Sequence, residues 1–150
     1  MKYTATISSS RKGVDKLYAL ILDALTILNG YTESLKLSIS GVRGLKPGER
    51  RFLIYALNKG KSRRIDKEIE NLLQSNKRSL KFLINVKYSY QGEDNRRHFL
   101  RGDYFLLEVE QHNKFIGLKV QHLKGLLRTT EEYILEKLIR IVRSRYLQAV

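Results

Sequence analysis

Alternating apolar and polar side chains between residues 79 and 91 place the tightest constraint on the fold. Six apolar side chains occupy every second position: Leu80, Phe82, Ile84, Val86, Tyr88 and Tyr90. Between them lie polar residues such as Lys81 and Lys87, with Leu83 as the one apolar exception. Because successive side chains of a strand point to opposite faces, this period of two predicts a strand with an apolar underside and a basic upper side.

The residues after this strand predict a turn and a return strand. The segment Gln91–Asn95 is rich in turn-forming residues, and Arg96, Arg97 and Arg101 follow it closely. We therefore expect Asn76–Arg101 to form a β-hairpin whose exposed face is positively charged.

The positive charge of the chain is concentrated around this hairpin. The chain carries 29 Lys and Arg against 15 Asp and Glu, a formal net charge of +14, and residues 41–102 alone hold 16 basic and six acidic side chains. A polyanionic partner explains such concentration, because each neutralised phosphate releases counterions. The predicted phosphate contacts are Lys59, Lys61, Arg63, Arg64, Lys81, Lys87, Arg96, Arg97 and Arg101.

Composition and length limit the kinds of protein that this chain can be. With 150 residues, 42% of them hydrophobic and 29% charged, the chain is expected to form a single domain over residues 1–150. It has no apolar run long enough to cross a bilayer, and its first residues do not resemble a signal peptide. It has no cysteine, which excludes disulfides and thiolate metal sites. A cytoplasmic location is expected.

Periodicity along the chain predicts an α+β fold. We expect a strand at about 2–8, a helix at 14–29, a strand from Leu35, helices at 49–58 and 62–74, four strands between 77 and 122, and a final helix capped by Thr129 or Thr130. This order indicates a mostly antiparallel sheet with helices packed on one face and a C-terminal helix. That last helix is a candidate surface for a protein partner or self-association.

Two helices joined by a short turn at residues 49–75 would also suit a helix-turn-helix. The cations around Lys59–Arg64 would then border a helix that reads DNA. This DNA-binding interpretation is an alternative to RNA binding.

The segment Phe82–Gly92 resembles archaeal exosome-associated RNA-binding proteins with a double-stranded-RNA-binding-domain-like fold. Phe82, Ile84, Asn85, Tyr90 and Gly92 fit the spacing of a strand that ends in Lys-Gln-Ala-Ala-Tyr-x-Gly in that family, while residues 86–89 differ from it. At positions 65–66, 72–73 and 102–103 the chain also has residues similar to those of that family. The resemblance covers residues 34–110 and implies an RNA-binding domain without catalytic activity.

Three carboxylates offer an enzymatic alternative. Asp103, Glu108 and Glu110 could bind Mg²⁺, as in a metal-dependent nuclease, although Glu108 and Glu110 also fit the solvated face of an amphipathic strand. The histidines lack the spacing of a zinc site, and no cofactor is expected.

We therefore expect a non-enzymatic nucleic-acid-binding protein, with RNA favoured over DNA. Arg and Lys would bind phosphates, and Tyr88, Tyr90, Phe99 and Tyr104 are candidates to stack on bases. Tyr88 and Tyr90 share the apolar parity of Ile84, so the core is their more natural place.

Overall fold

The structure is a computed structural model that describes residues 2–8, 13–37, 48–75 and 77–149. Within those ranges the chain forms seven strands and three helices. The strands are β1 (Lys2–Ser8), β2 (Thr32–Leu35), β3 (Gly48–Asn58), β4 (Lys61–Arg64), β5 (Ser79–Gln91), β6 (Arg97–Gln111) and β7 (Phe115–Lys124). The helices are α1 (Val14–Leu28), α2 (Ile65–Gln74) and α3 (Glu131–Ala149).

The strands form one antiparallel sheet. Its order is β1-β7-β6-β5-β3-β2, and β4 pairs with β3 beside this path. The sheet, the three helices and the C-terminal position of α3 confirm the predicted α+β class.

The core lies between the inner face of the sheet and the helices. The inward side chains of β5, from Phe82 to Tyr88, are fully buried and pack with Ile21 and Leu25 of α1. Leu138 of α3 belongs to the same cluster, so the apolar stripe of this helix lies in the protein's own core. The other face of the sheet, called the outer face below, carries exposed cations such as Lys87.

The helix predicted at residues 49–58 is wrong, because this segment is strand β3. Its side chains alternate: Phe52 and Ile54 are fully buried on the inner face, whereas Arg51 is exposed on the outer face. Pairing with β5 satisfies its backbone, and this tertiary context outweighs the helical spacing of its apolar residues.

The helix-turn-helix at residues 49–75 is therefore also wrong. Lys59 and Gly60 have φ angles of 51° and 78°, which are the left-handed values of a two-residue hairpin turn. The turn joins β3 to β4, and α2 begins only at Ile65.

The remaining boundaries follow the predictions with smaller differences. The strand predicted at 104–111 is the second half of the long β6, which continues the return strand of the hairpin. The strand predicted from Leu35 onwards is misplaced, because β2 ends at Leu35. Residues 38–47, with the glycine-containing loop, lie outside the described residues. The Oγ1 of Thr130 accepts a hydrogen bond from the N–H of Tyr133 at 3.1 Å and so caps α3. None of the described helices combines the length and the apolar character needed to cross a membrane.

Candidate nucleic-acid interface

All nine predicted phosphate-binding cations are exposed, but the structure divides them between two ends of the sheet. Lys87, Arg97 and Arg101 lie on the outer face of β5 and β6, with Arg96 in the adjoining turn. Lys59, Lys61, Arg63 and Arg64 lie on the β3–β4 hairpin, where Lys81 is opposite Leu57 in register. Leu57 and Arg51 are six positions apart along β3, or about 20 Å of extended chain.

The first group surrounds an exposed aromatic ring. Phe99 is 73% exposed on the outer face of β6 and pairs in register with Ser89 of β5. Two residues before Ser89 on β5, Lys87 is opposite Arg51 of β3. Since directly opposed residues of antiparallel strands project to the same face, these side chains form one surface.

A β-bulge adds a further cation to this surface. Val86 pairs with Asp103 and Tyr88 with Leu100, so that Lys87 alone is opposite both Arg101 and Gly102. Arg101 is exposed beside Lys87. We call the set Arg51, Lys87, Arg97, Phe99 and Arg101 the Phe99 patch.

Polar contacts fix the position of Arg97 within the Phe99 patch. Its Nη1 lies 2.8 Å from Oε2 of Glu49 and donates to Oγ of Ser89 at 2.9 Å. Arg51, Lys87, Arg97 and Phe99 line a shallow depression of about 370 Å³. Among the described residues, Arg51, Lys87 and Arg101 form no salt bridge, so their charges face solvent.

Sequence reasoning found Phe99 and missed Arg51. Arg51 was missed because its segment was assigned to a helix, and residues 50–57 show no regular alternation that would have marked it as a strand residue. Of the other stacking candidates, Tyr88 is fully buried, as its parity indicated. Tyr90 is half-buried and stacks on His98, with 5.2 Å between ring centroids. Tyr104 is half-buried on the outer face, opposite Asn85.

The cations at the other end partly pair with acids of α2. Nη1 of Arg63 lies 3.2 Å from Oε1 of Glu68, and Nε of Arg64 lies 4.0 Å from Oδ1 of Asp66. At least one partner of each pair is well exposed, so the pairs contribute little stability. The hairpin therefore keeps excess positive charge, but it lies far from Phe99.

The predicted metal cluster does not form. Asp103 is fully buried on the inner face, whereas Glu108 and Glu110 lie on the outer face. Glu108 pairs with Lys119 at 3.0 Å, as the amphipathic-strand interpretation expects. Within the described ranges no three His, Asp or Glu side chains are placed to hold a metal ion. The proposed Mg²⁺ site of a nuclease is therefore wrong.

Asp103 instead centres a buried polar network that the sequence did not reveal. Leu100 points inward, so strict alternation would turn Asp103 outward. The extra residue of the bulge, Gly102, reverses the parity and buries the carboxylate. On β7, His122 continues the inward series of Leu118 and Val120.

Asp103 accepts hydrogen bonds from two side chains and from the loop before α3. His122 Nε2 lies 2.9 Å from Oδ1, and Tyr88 donates its hydroxyl proton to Oδ2. The N–H of Leu127 donates to Oδ1 at 2.7 Å, and that of Arg128 to Oδ2 at 2.9 Å. Burial alone would raise the pKa of Asp103, but these hydrogen bonds hold it below its ordinary value. Burial and the same carboxylate raise the pKa of Tyr88.

The network continues across the inner face of the sheet towards β2. Oη of Tyr88 lies 2.8 Å from Oγ1 of Thr129, which accepts from Nη1 of Arg50 at 3.0 Å. Nε of Arg50 pairs with Glu33 of β2 at 3.0 Å, and Lys137 of α3 pairs with the same carboxylate at 2.8 Å. This chain of contacts ties β2, β3 and β6 to α3 behind the Phe99 patch.

Gly125 allows the close approach of the loop to Asp103, and replacing it with alanine tests that packing. Gly125 has φ of +116°, and a Cβ there would lie 2.3 Å from Oδ1 of Asp103. We expect Gly125→Ala to lower the free energy of unfolding by about 3 kcal/mol, measured by urea denaturation. Gly60→Ala is the matched control, because φ is +78° but a Cβ would have open space. Its cost should be only about 1 kcal/mol, and equal losses would contradict the crowding at Asp103.

Comparison with known proteins identifies no family. No protein-family model matches the chain, and no curated protein matches it. Among solved structures it shows a likeness to the crystal structure of TTHA0849 from Thermus thermophilus. The identity is 15%, the match covers 99% of this chain and 97% of that chain, and the TM-score is 0.35. A similarity at this level does not indicate a shared function, so the proposed function rests on the geometry of this chain alone.

Proposed function

We propose that this protein is a non-enzymatic RNA-binding protein that contacts its ligand through the Phe99 patch. The observation that supports this most directly is the exposed ring of Phe99 among cations on one open sheet surface. Such a surface supplies both parts of a single-strand site: cations attract the phosphates, and an aromatic ring stacks on an unpaired base. The sequence resemblance also points to RNA, and a cytoplasmic location would suit this role.

Single-stranded RNA fits the patch better than a duplex. A ring can stack face to face only on a base that has left its own stack, and single strands and loops offer such bases. Phe99 lies within a paired strand, so its backbone is already ordered and loses no conformational entropy when the ring stacks. A duplex that bound as tightly as a single strand would favour a purely electrostatic, shape-based interface.

Removing the ring of Phe99 tests the stacking role. We expect Phe99→Ala to weaken binding of a single-stranded RNA about 10-fold, because stacking on an aromatic side chain contributes on the order of 1–3 kcal/mol per base. Fluorescence anisotropy of labelled RNA measures this loss. The free energy of unfolding should change by less than about 0.5 kcal/mol, since the ring is mostly exposed.

Leu126→Ala is the matched control for an exposed apolar side chain. Leu126 is 65% exposed in the loop between β7 and α3 and does not belong to the Phe99 patch. Its truncation should leave RNA affinity unchanged. If both variants bind RNA like the wild type, the stacking role of Phe99 is refuted.

A further inference from the structure

A second cavity lies between the β3–β4 hairpin and α2, at the end of the sheet away from Phe99. We call it the β4–α2 cleft, and its volume is about 390 Å³. Lys59, Lys61 and Arg63 contribute from the hairpin, and Lys77 contributes from the segment before β5. A cavity of this size lies within the range of small-molecule sites in proteins.

The β4–α2 cleft has a strong excess of positive charge. Four cations line it, against one carboxylate, that of Glu68, which pairs with Arg63 at 3.2 Å. Lys77 donates to the side-chain oxygen of Asn58 at 3.2 Å, which draws its ammonium group towards the hairpin. Lys61 is opposite Asn58 in register, so it projects from the same end of the hairpin. A site with this charge favours a compact dianion.

The rest of the cleft is not suited to a bare inorganic anion. Leu72 and Leu80 supply apolar surface, and Leu80 is only 7% exposed. Asn58 and Asn71 add carboxamides, each of which offers both hydrogen-bond donors and an acceptor. Apolar contact for a ring, amides for its edge and cations for a phosphate together match a nucleotide.

We propose that the β4–α2 cleft binds a nucleoside bearing a phosphate monoester, and that this group is the phosphorylated end of the RNA held by the Phe99 patch. The identity of the ligand as an RNA end rests on the proposed function, whereas the recognition of a nucleoside monophosphate does not. A terminal monoester carries more charge than an internal phosphodiester, and it can enter a cleft that a continuous strand must pass by.

Ala56, Asn58 and Leu80 place the cleft on the inner side of the sheet, so an RNA must pass the end of β3 to reach the Phe99 patch on the outer face. Leu57 lines the cleft, and its register partner Lys81 is exposed on the outer face. From there β3 and β5 lead to Arg51 and Lys87, about 20 Å away. An RNA of several nucleotides would reach from one site to the other, with Lys81 beneath its backbone.

Two binding measurements test the proposal. In the first, adenosine monophosphate, adenosine and inorganic phosphate are titrated into the labelled full chain, and NMR follows the side-chain amides of Asn58 and Asn71. Adenosine monophosphate should shift these signals saturably, and more strongly than either fragment. In the second, one RNA sequence with and without a terminal phosphate is compared by anisotropy, and the phosphorylated form should bind about 10-fold more tightly.

Variants locate both effects in the cleft. The double variant Lys61→Gln/Lys77→Gln should abolish the preference for the phosphorylated end and the response to adenosine monophosphate. The control Lys16→Gln/Lys114→Gln removes the same charge from exposed positions on α1 and on the β6–β7 turn, and it should keep both. Phe99→Ala should weaken both RNAs equally and leave nucleotide binding intact.

The possible failures are distinguishable. RNA binding that ignores the terminal phosphate, with no saturable nucleotide response, would overturn the inference and leave the RNA-binding role standing. A saturable nucleotide response without RNA binding would refute the proposed function and the RNA end as ligand, and would identify a site for free nucleotides.

Discussion

Asp103→Asn is expected to lower the free energy of unfolding by about 3 kcal/mol, as measured by urea denaturation. The carboxylate is fully buried and accepts hydrogen bonds from Tyr88, His122 and the loop before α3. An asparagine of the same shape keeps one oxygen and places an NH₂ group against N–H donors. At least one buried donor then loses its acceptor, and the negative charge that all of them share is gone.

An exposed aspartate provides the control. Asp66 has a half-exposed side chain and reaches Arg64 only at 4.0 Å. Asp66→Asn removes the same charge and should change the free energy of unfolding by less than about 0.5 kcal/mol. A loss at Asp103 no larger than the loss at Asp66 would show that the network contributes no stability.

The pH dependence of stability in the wild type and in Asp103→Asn gives an independent test of the network. The pKa of Asp103 in the folded state lies below its ordinary value of 3.8, although burial alone would raise it, because hydrogen bonds from Tyr88, His122 and backbone N–H groups stabilise the charged form. A lowered pKa stabilises the fold above the unfolded value, and this contribution is lost as the pH falls through the folded value. The stability difference between wild type and Asp103→Asn should therefore shrink as the pH falls below 3.8.

The sequence was sufficient to predict the structure where apolar and polar side chains alternate regularly. Between Leu80 and Tyr90 the alternation alone predicted the strand, its buried face and the exposure of Lys81 and Lys87. Residues 49–58 were assigned wrongly, because ten residues with mixed apolar spacing fit both periods. Only pairing with β5, whose partner residues lie 24 to 40 positions later in the chain, selects the strand.

The polar network was beyond the reach of local pattern. The extra residue Gly102, in a strand 15 residues long, lets Asp103 share the inner face with Leu100 before the bulge and Phe105 after it. The partners of Asp103 come from β5, β7 and the loop before α3. A spacing argument grouped Asp103 with Glu108, although the two residues are five positions apart in a regular stretch of β6 and therefore face opposite sides of the sheet.

Reversing three charges of the Phe99 patch is expected to have the largest effect on RNA binding. The variant Lys87→Glu/Arg97→Glu/Arg101→Glu should lose at least about 100-fold in affinity for single-stranded RNA at low salt, because attraction to phosphates becomes repulsion. The slope of log affinity against log salt concentration should become shallower by about 2, from about 0.7 for each lost phosphate contact. Anisotropy titrations across a salt series measure both quantities.

Net charge is separated from position by a second triple variant. Lys16→Glu/Lys114→Glu/Arg140→Glu also reverses three exposed cations, and each variant lowers the formal net charge from +14 to +8. These control positions lie on α1, the β6–β7 turn and α3. If the Phe99 patch is the interface, the control should keep most of the affinity and the steeper salt slope. Equal losses of RNA affinity in the two variants would mean that binding depends on the net charge of the whole molecule. The Phe99 patch would then not be the binding site.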